Sequence, residues 1–357
     1  MRILHILPHL SGGGAERQFS YLAQMQIKLG HEVHVACLEN DGENPELQGI
    51  VKHSLRSFSN YDPDLLWQVI CIIRRIKPCV IQTWILQMHI LGGIAAKLTS
   101  TPWIFREPSC ENAYLGSWKI QLLEWIVSWA SVIVSNSRGG DKIWENKAPN
   151  SRRYIIRNGL PLDLIDRCGP ALPAGFAQSE APFVLFVGRF IDTKNVRFLL
   201  KALETASKVQ KVKIVLAGYG PERKQLELLT RKYGLEAEVY FAGPLSSSSI
   251  WSLMKTANLF VSLSAYEGCP NTVLEAMACR CPIIVSDIPA HREILNESSA
   301  LFVDPWDTPQ TANAIMYALL NKDESKERAL NARKTAESFL VEKMATEYEK
   351  IYKSILA

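Results

Sequence analysis

The feature that most restricts this chain is an alternation, played out twice, of short apolar runs with stretches of helical spacing. In the first half Arg2–Leu7, Glu32–Cys37, Val80–Thr83, Trp103–Arg106, Val132–Ser135 and Tyr154–Arg157 read as strands. Between them Ala15–Leu29, Leu65–Ile76, Leu86–Leu98, Ser117–Ala130 and Arg138–Asn146 read as helices. Apolar strands separated by helices imply a mainly parallel sheet covered on both faces, an α/β fold. The Pro- and Gly-dense segment Cys168–Phe176 interrupts the pattern. It restarts with strands Phe183–Val187, Val212–Ala217, Val239–Phe241, Leu259–Leu263 and Ile283–Ser286, interleaved with further helices.

At roughly 150 residues per domain, 357 residues divide into two domains with extensions. The expected division is a first domain over 1–165, a linker over 166–180, a second domain over 181–335 and a terminal helix over 336–357. Tyr348, Ile351, Tyr352 and Ile355 form one apolar stripe on that helix, which must dock on a domain; return onto the first fits, but the spacing alone does not say which domain accepts it. Two such domains are expected to meet across a cleft rimmed by the loops that follow strands, because open parallel sheets bind ligands outside their carboxyl ends.

Composition narrows the partners. Lys and Arg number 40 against 36 Asp and Glu, too even a balance to demand a polyanion, so no nucleic-acid partner is expected. Eight cysteines without a CxxC pair read as reduced thiols of a cytoplasmic protein. The N-terminal apolar run has a strand's length, not that of a signal peptide. The longest uncharged stretch, between Lys77 and Lys97, carries Gln82, Thr83, Gln87 and His89, so no membrane-spanning helix is expected.

Three segments carry chemistry. Ser11-Gly12-Gly13-Gly14-Ala15-Glu16-Arg17 lies between a strand and a helix, where glycines admit a ligand to the backbone and a helix N-terminus attracts an anion. Gly188-Arg189…Lys194-Asn195 puts two cations after a strand and before a helix. Cations are unfavourable there unless an anion, such as a diphosphate, accompanies them. Glu267 and Glu275 stand eight residues apart, in a loop after a strand and one turn into the next helix, where carboxylates can accept hydrogen bonds from sugar hydroxyls. Asp62-Pro63-Asp64 spells a metal-binding DxD but precedes a helix and reads as its cap. His291, near a helix start, reads equally as a surface or capping residue and as a substrate contact.

Together with Gly218-Tyr219-Gly220-Pro221, the Glu-Gly-Cys-Pro-Asn-Thr-Val-Leu-Glu run from Glu267 to Glu275 and Pro282–Asp287, these segments resemble the GT-B fold retaining glycosyltransferases of family 4 (glycosyl transferases group 1). The resemblance covers nearly the whole chain. It implies two Rossmann-like domains facing each other across a cleft, with the C-terminal helices crossing back to the first. It implies a hexosyl or N-acetylhexosaminyl transfer from a nucleotide-sugar, a UDP-sugar in preference to a GDP-sugar, with no catalytic metal and no tightly bound cofactor. The implied acceptor is a growing bacterial surface polysaccharide, lipopolysaccharide or lipid-linked oligosaccharide, at the inner face of the cytoplasmic membrane.

Carried over residue by residue, Arg189 and Lys194 would clamp the donor's diphosphate, Glu267 would face the donor sugar and Glu275 would hold the ribose. Gly188, Gly268, Cys269, Pro270, Asn271 and Thr272 would meet sugar and phosphate. Gly13 and Gly14 would close on the phosphate from the first domain. Gly218 and the Gly243-Pro244-Leu245 turn would lie near nucleoside and base. Two departures stand out. Asn195 replaces the family's usual glycine and is expected to cap the next helix, while Arg106-Glu107 occupies the loop where many relatives carry a histidine, on the acceptor side.

Two other readings are weaker. A GT-B UDP-sugar epimerase would need acid/base residues that the Glu267–Glu275 motif does not supply, and intact Arg189, Lys194, Glu267 and Glu275 argue against a silent scaffold. Trp118, Leu122, Trp125 and Trp129 form a stripe that suits either the core or, with the basic residues of 138–157, an anionic membrane surface.

Overall fold

A computed structural model describes residues 1–10, 13–38, 47–57, 62–108, 118–172, 176 and 181–357. Ser11 and Gly12 of the first glycine loop, the side chain of Trp118 and much of the 166–180 segment lie outside them. The chain forms two compact units, one of residues 1–159 with 339–357, the other of residues 160–338.

The first unit is a parallel sheet of seven strands: Arg2–Ile6 (β1), Glu32–Leu38 (β2), Val51–Leu55 (β3), Val80–Thr83 (β4), Trp103–Glu107 (β5), Val132–Ser135 (β6) and Arg153–Ile155 (β7). Their order is β3-β2-β1-β4-β5-β6-β7. Side chains alternate between its faces, as the two-residue period of a strand requires. Leu4, Ile6, Phe105 and Ile133 belong to one core, with helices Asp64–Ile76 (α2) and Leu86–Thr99 (α3). Ile3, Val33, Ile104 and Val132 belong to the other, with helix Gly14–Lys28 (α1) and the C-terminal helix Val341–Leu356. The remaining helices of this unit are Trp118–Val127 (α4) and Arg138–Lys147 (α5).

The stripe on the C-terminal helix is buried as its spacing predicts, with Tyr348 and Tyr352 fully enclosed. Gly159 lets that helix in: a Cβ there would stand 2.8 Å from the Val341 Cα. Gln18 clasps the Gly159 peptide, donating to its carbonyl at 3.0 Å and accepting from its N–H at 2.8 Å.

The second unit is a parallel sheet of Phe183–Val187 (β8), Lys213–Ala217 (β9), Val239–Gly243 (β10), Leu259–Ser262 (β11), Ile283–Ser286 (β12) and Leu301–Val303 (β13), in the order β10-β9-β8-β11-β12-β13. Its helices are Leu162–Arg167 (α6), Val196–Ala206 (α7), Arg223–Lys232 (α8), Ser247–Thr256 (α9), Asn271–Ala278 (α10), Pro289–Arg292 (α11), Thr308–Leu320 (α12) and Lys322–Ala336 (α13). Helix α6 falls in this unit, although part of it lies within the 1–165 span. Arg333 grips Asp166 with both terminal nitrogens, at 2.9 and 2.8 Å, and Lys255 donates to the Cys168 carbonyl at 2.6 Å.

Strands β3 and β13 were not expected from the sequence. Both are sheet edges, where one neighbour suffices and the apolar pattern weakens. The Trp stripe divides: α4 buries Ile120, Leu123, Ile126 and Val127, while Trp125 is exposed and Trp129 packs partly against the core. Among the described residues no helix is long and apolar enough to cross a membrane.

Candidate functional site

Strand order reverses between β8 and β11 in the second unit, and that reversal opens a crevice at their carboxyl ends. The loop after β8 is braced by the loop after β9. The Phe190 N–H donates to the Tyr219 carbonyl at 2.7 Å, and a Cβ on Gly218 or Gly220 would collide with the backbone of Gly188 or Phe190. Only glycine permits so close an approach. The brace presents Arg189 to solvent, and the guanidinium makes no hydrogen bond or ion pair among the described residues.

After the 3-10 turn Asp192–Lys194, Asn195 adopts the left-handed region at φ 52°. Asparagine is among the few residues other than glycine that tolerate it. The expected side-chain cap on α7 does not form. Asn195 Nδ2 instead donates to the Leu263 carbonyl at 2.9 Å, and the Ala265 N–H donates to the Thr193 carbonyl at 2.8 Å. These two bonds tie the loop after β8 to the loop after β11.

The tie brings Lys194 against Glu267. Its ammonium donates to Glu267 Oε1, which also accepts from Ser264 Oγ at 2.7 Å. The two charged side chains retain only 22% and 15% of their exposure. Burial pushes the Glu267 carboxyl up, but the charge and hydrogen bond of Lys194, with the hydroxyl of Ser264, hold it below the usual carboxylate range. Behind them His291 is fully buried, so it is not a surface residue. Its Nδ1 donates to the Ser286 carbonyl at 2.8 Å, and Ser286 Oγ donates to the Ser264 carbonyl at 2.6 Å. Burial lowers its pKa to about 4, so the ring is neutral and Nε2, which has no partner among the described residues, carries a lone pair. Sequence reasoning gave no role to Ser264 or Ser286, although Ser286 lies within the Pro282–Asp287 run.

Gly268, Cys269, Pro270, Asn271 and Thr272 lead into α10, which no side chain caps, and Glu275 sits one turn inside it, 3% exposed. Gly243 ends β10 at φ 70°, accepts from the Gly218 N–H at 2.8 Å, and passes the chain to Pro244 and Leu245.

In the first unit the corresponding reversal lies between β1 and β4. Gly13 precedes α1 without a side-chain cap, Gly14 opens the helix, and the Glu16 carboxylate folds back onto Gly13, where the helix dipole favours negative charge. Ile85, directly after β4, has φ 67°, a strained conformation for a β-branched residue that no sequence motif marks. Arg106 is buried: Nε donates to the Tyr348 hydroxyl at 2.9 Å, Nη2 to Asn158 Oδ1 at 2.7 Å, and the guanidinium stacks on Trp84 at 4.3 Å. Glu107 is buried too, accepting from Trp144 Nε1 at 2.9 Å. Asp62 of the DxD accepts from the Asp64 N–H at 3.0 Å, before α2.

Known proteins align with this architecture. The family model described as Glycosyltransferase Family 4 matches residues 12–164, and that described as Glycosyl transferases group 1 matches residues 173–335. An uncharacterized glycosyltransferase of Methanocaldococcus jannaschii is 25% identical over 96% of this chain and 94% of its own. A lipopolysaccharide core biosynthesis glycosyltransferase of Rhizobium meliloti is 26% identical over 88% of this chain and 87% of its own. The crystal structure of Anabaena HepE in complex with UDP and glucose superposes with a TM-score of 0.85 at 18% identity, covering 99% of this chain and all of that one. With both units matched by their own family model and both built as parallel α/β sheets, this chain belongs to the group 1, family 4 glycosyltransferases of GT-B fold.

Proposed function

We propose that this enzyme is a retaining transferase that moves a hexosyl or N-acetylhexosaminyl unit from a UDP-sugar to a growing bacterial surface glycan or lipid-linked oligosaccharide. The observation that carries the reading is the charge arrangement at the β8/β11 crevice. One exposed guanidinium, Arg189, without a partner among the described residues, shares that rim with an ammonium, Lys194, placed against a carboxylate, Glu267. The cations suit a diphosphate and Glu267 suits glycosyl hydroxyls, while Glu275 at the start of α10 suits the ribose. Gly243, where a Cβ would meet nothing within 4 Å, leaves the Gly243–Leu245 turn open to backbone contact with the nucleotide, beside Gly188 and Gly218. UDP in HepE favours a uridine donor here.

The chemistry follows from that arrangement. An acceptor hydroxyl attacks the anomeric carbon on the face from which the nucleoside diphosphate departs. The bond from that carbon to the diphosphate oxygen breaks, and the departing oxygen takes the hydroxyl proton, so the configuration is retained. Arg189 and Lys194 stabilise the negative charge that grows on the leaving group, and Glu267 orients the sugar and stabilises its positive character.

The acceptor is assigned to the first unit, and the relative from Rhizobium meliloti, a lipopolysaccharide core biosynthesis glycosyltransferase, favours a glycan acceptor. Exposed Trp125, stacked edge-on with Trp129 at 4.3 Å, and Lys97 over the Trp129 ring suit a headgroup surface. The test is a panel of UDP-, GDP- and dTDP-sugars assayed by saturation-transfer binding and by turnover, with the product anomer read by NMR. An inverted anomer, or no sugar nucleotide bound, overturns the reading. Flotation with vesicles containing anionic lipid tests the membrane contact, and failure to float removes it.

A further inference from the structure

We infer that Glu267 competes with diphosphate for Lys194, so that the site favours the intact sugar nucleotide over the bare nucleoside diphosphate left after transfer. The inference rests on the donor-site reading above and adds to it a discrimination between substrate and product.

Lys194 already has a ligand. Among the described residues its ammonium has one ion-pair partner, Glu267, whereas Arg189 has none. A diphosphate reaching both cations therefore finds Arg189 ready and must draw Lys194 off the carboxylate. What Glu267 then retains is one hydroxyl, that of Ser264, in a place where 15% of its side chain meets solvent. Among the described residues Lys194 and Ser264 are the side-chain donors to Glu267. His291 spends its one N–H on the Ser286 carbonyl and turns an unprotonated, buried Nε2 to its surroundings. A carboxylate stripped of its cation in such a place is costly.

An intact donor meets that cost itself, because its glycosyl hydroxyls donate to Glu267 as its diphosphate takes Lys194. Bare diphosphate brings only acceptors. Once the sugar has moved to the acceptor, Glu267 loses those hydroxyls and recaptures Lys194, which loosens the grip on the product nucleotide. Glu267 thus acts twice in one turnover, orienting the sugar and then helping to expel what the sugar leaves behind.

The experiment is calorimetric titration of the full chain with inorganic diphosphate, which has neither base nor ribose nor sugar. Glu267→Gln is expected to bind diphosphate about tenfold more tightly than the parent, and Glu267→Asp, with its carboxylate drawn back by one methylene, about threefold. In a Lys194→Met background the Glu267→Gln gain should vanish. A gain of equal size without Lys194 would make the effect general charge repulsion and overturn the inference, as would the absence of any gain. If Lys194→Met leaves diphosphate affinity unchanged, or if no variant binds diphosphate, the donor-site reading falls and this inference with it. Thermal unfolding of each variant checks that the fold is intact.

Discussion

Each unit carries an arginine near the carboxyl end of a sheet strand, and the two are used in opposite ways. Arg106 lies in β5 and is 1% exposed, held by a tyrosine hydroxyl, an asparagine carbonyl and an indole face, all neutral. Arg189 lies two residues beyond β8, exposed and without a partner among the described residues. The cover decides. In the first unit the C-terminal helix places Tyr348 and Tyr352 in the core, and a network runs from Trp84 through His5 and Gln26 to Tyr352 and Gln82. In the second unit Arg189 is exposed, and Gly218 and Gly220 after β9 pack against the backbone of its loop. One arginine has become a strut and the other stays available to an anion.

The comparison can be broken most forcefully by acid. His5 and His89 in the first unit are fully buried, and burial, with the nearby Arg106 charge, lowers them to about 4 and about 3. Only His291 is treated so in the second unit. A histidine whose folded pKa lies below its unfolded value of about 6.5 gives stability that is present above 6.5 and lost as pH falls toward the folded pKa. Between about pH 6 and 5 the first unit should therefore lose stability at least twice as fast as the second, and His53, lowered to about 4 by burial and by its neighbours His34 and Arg75, adds to the first unit's loss. Seven of nine tryptophans lie in residues 1–159. Tryptophan fluorescence should thus report an earlier acid transition than the full calorimetric trace, and coincident transitions at every pH would contradict the asymmetry.

Next in size is Lys194→Met, expected to lower kcat/KM for transfer by about a thousandfold and, because it leaves the Glu267 carboxylate without its cation, to lower the melting temperature as well. Arg106→Met should spare transfer and cost stability alone. Losing its bonds to Tyr348 and Asn158 should cost about 3 kcal/mol of stability, against about 1 kcal/mol for Tyr348→Phe, with KM for the donor unchanged. A change in donor KM would show Arg106 to be more than a strut. Smallest is Asn195→Gly, where relief of the left-handed φ offsets the lost bond to Leu263. Unfolding should move by less than about 1 kcal/mol in either direction, whereas Asn195→Ala, which loses the bond and keeps the strain, should be clearly worse.

Much of this was legible beforehand, for definite reasons. Central strands such as Leu259–Ser262 are buried on both faces and must be apolar throughout, so they announce themselves; the edges β3 and β13 need not, and did not. The placement of Arg189, Lys194, Glu267 and Glu275 could be read because each follows a strand or lies in the first turns of a helix. Asn195 was misread because a capping preference is visible in one residue, whereas a left-handed φ is set by the turn around it. His291 was left open because burial is a property of everything packed on a residue.

The order of residues alone dictated two parallel α/β sheets, the apolar stripe of the last helix and the cations and carboxylates set after strands, since periodicity and turn chemistry are local. Only the folded chain decided that Lys194 meets Glu267, that Arg106 is enclosed and that the last helix completes the first unit. Those outcomes join residues as far apart as 106 and 348. Such pairings depend on which surfaces are brought together, and no local pattern encodes that.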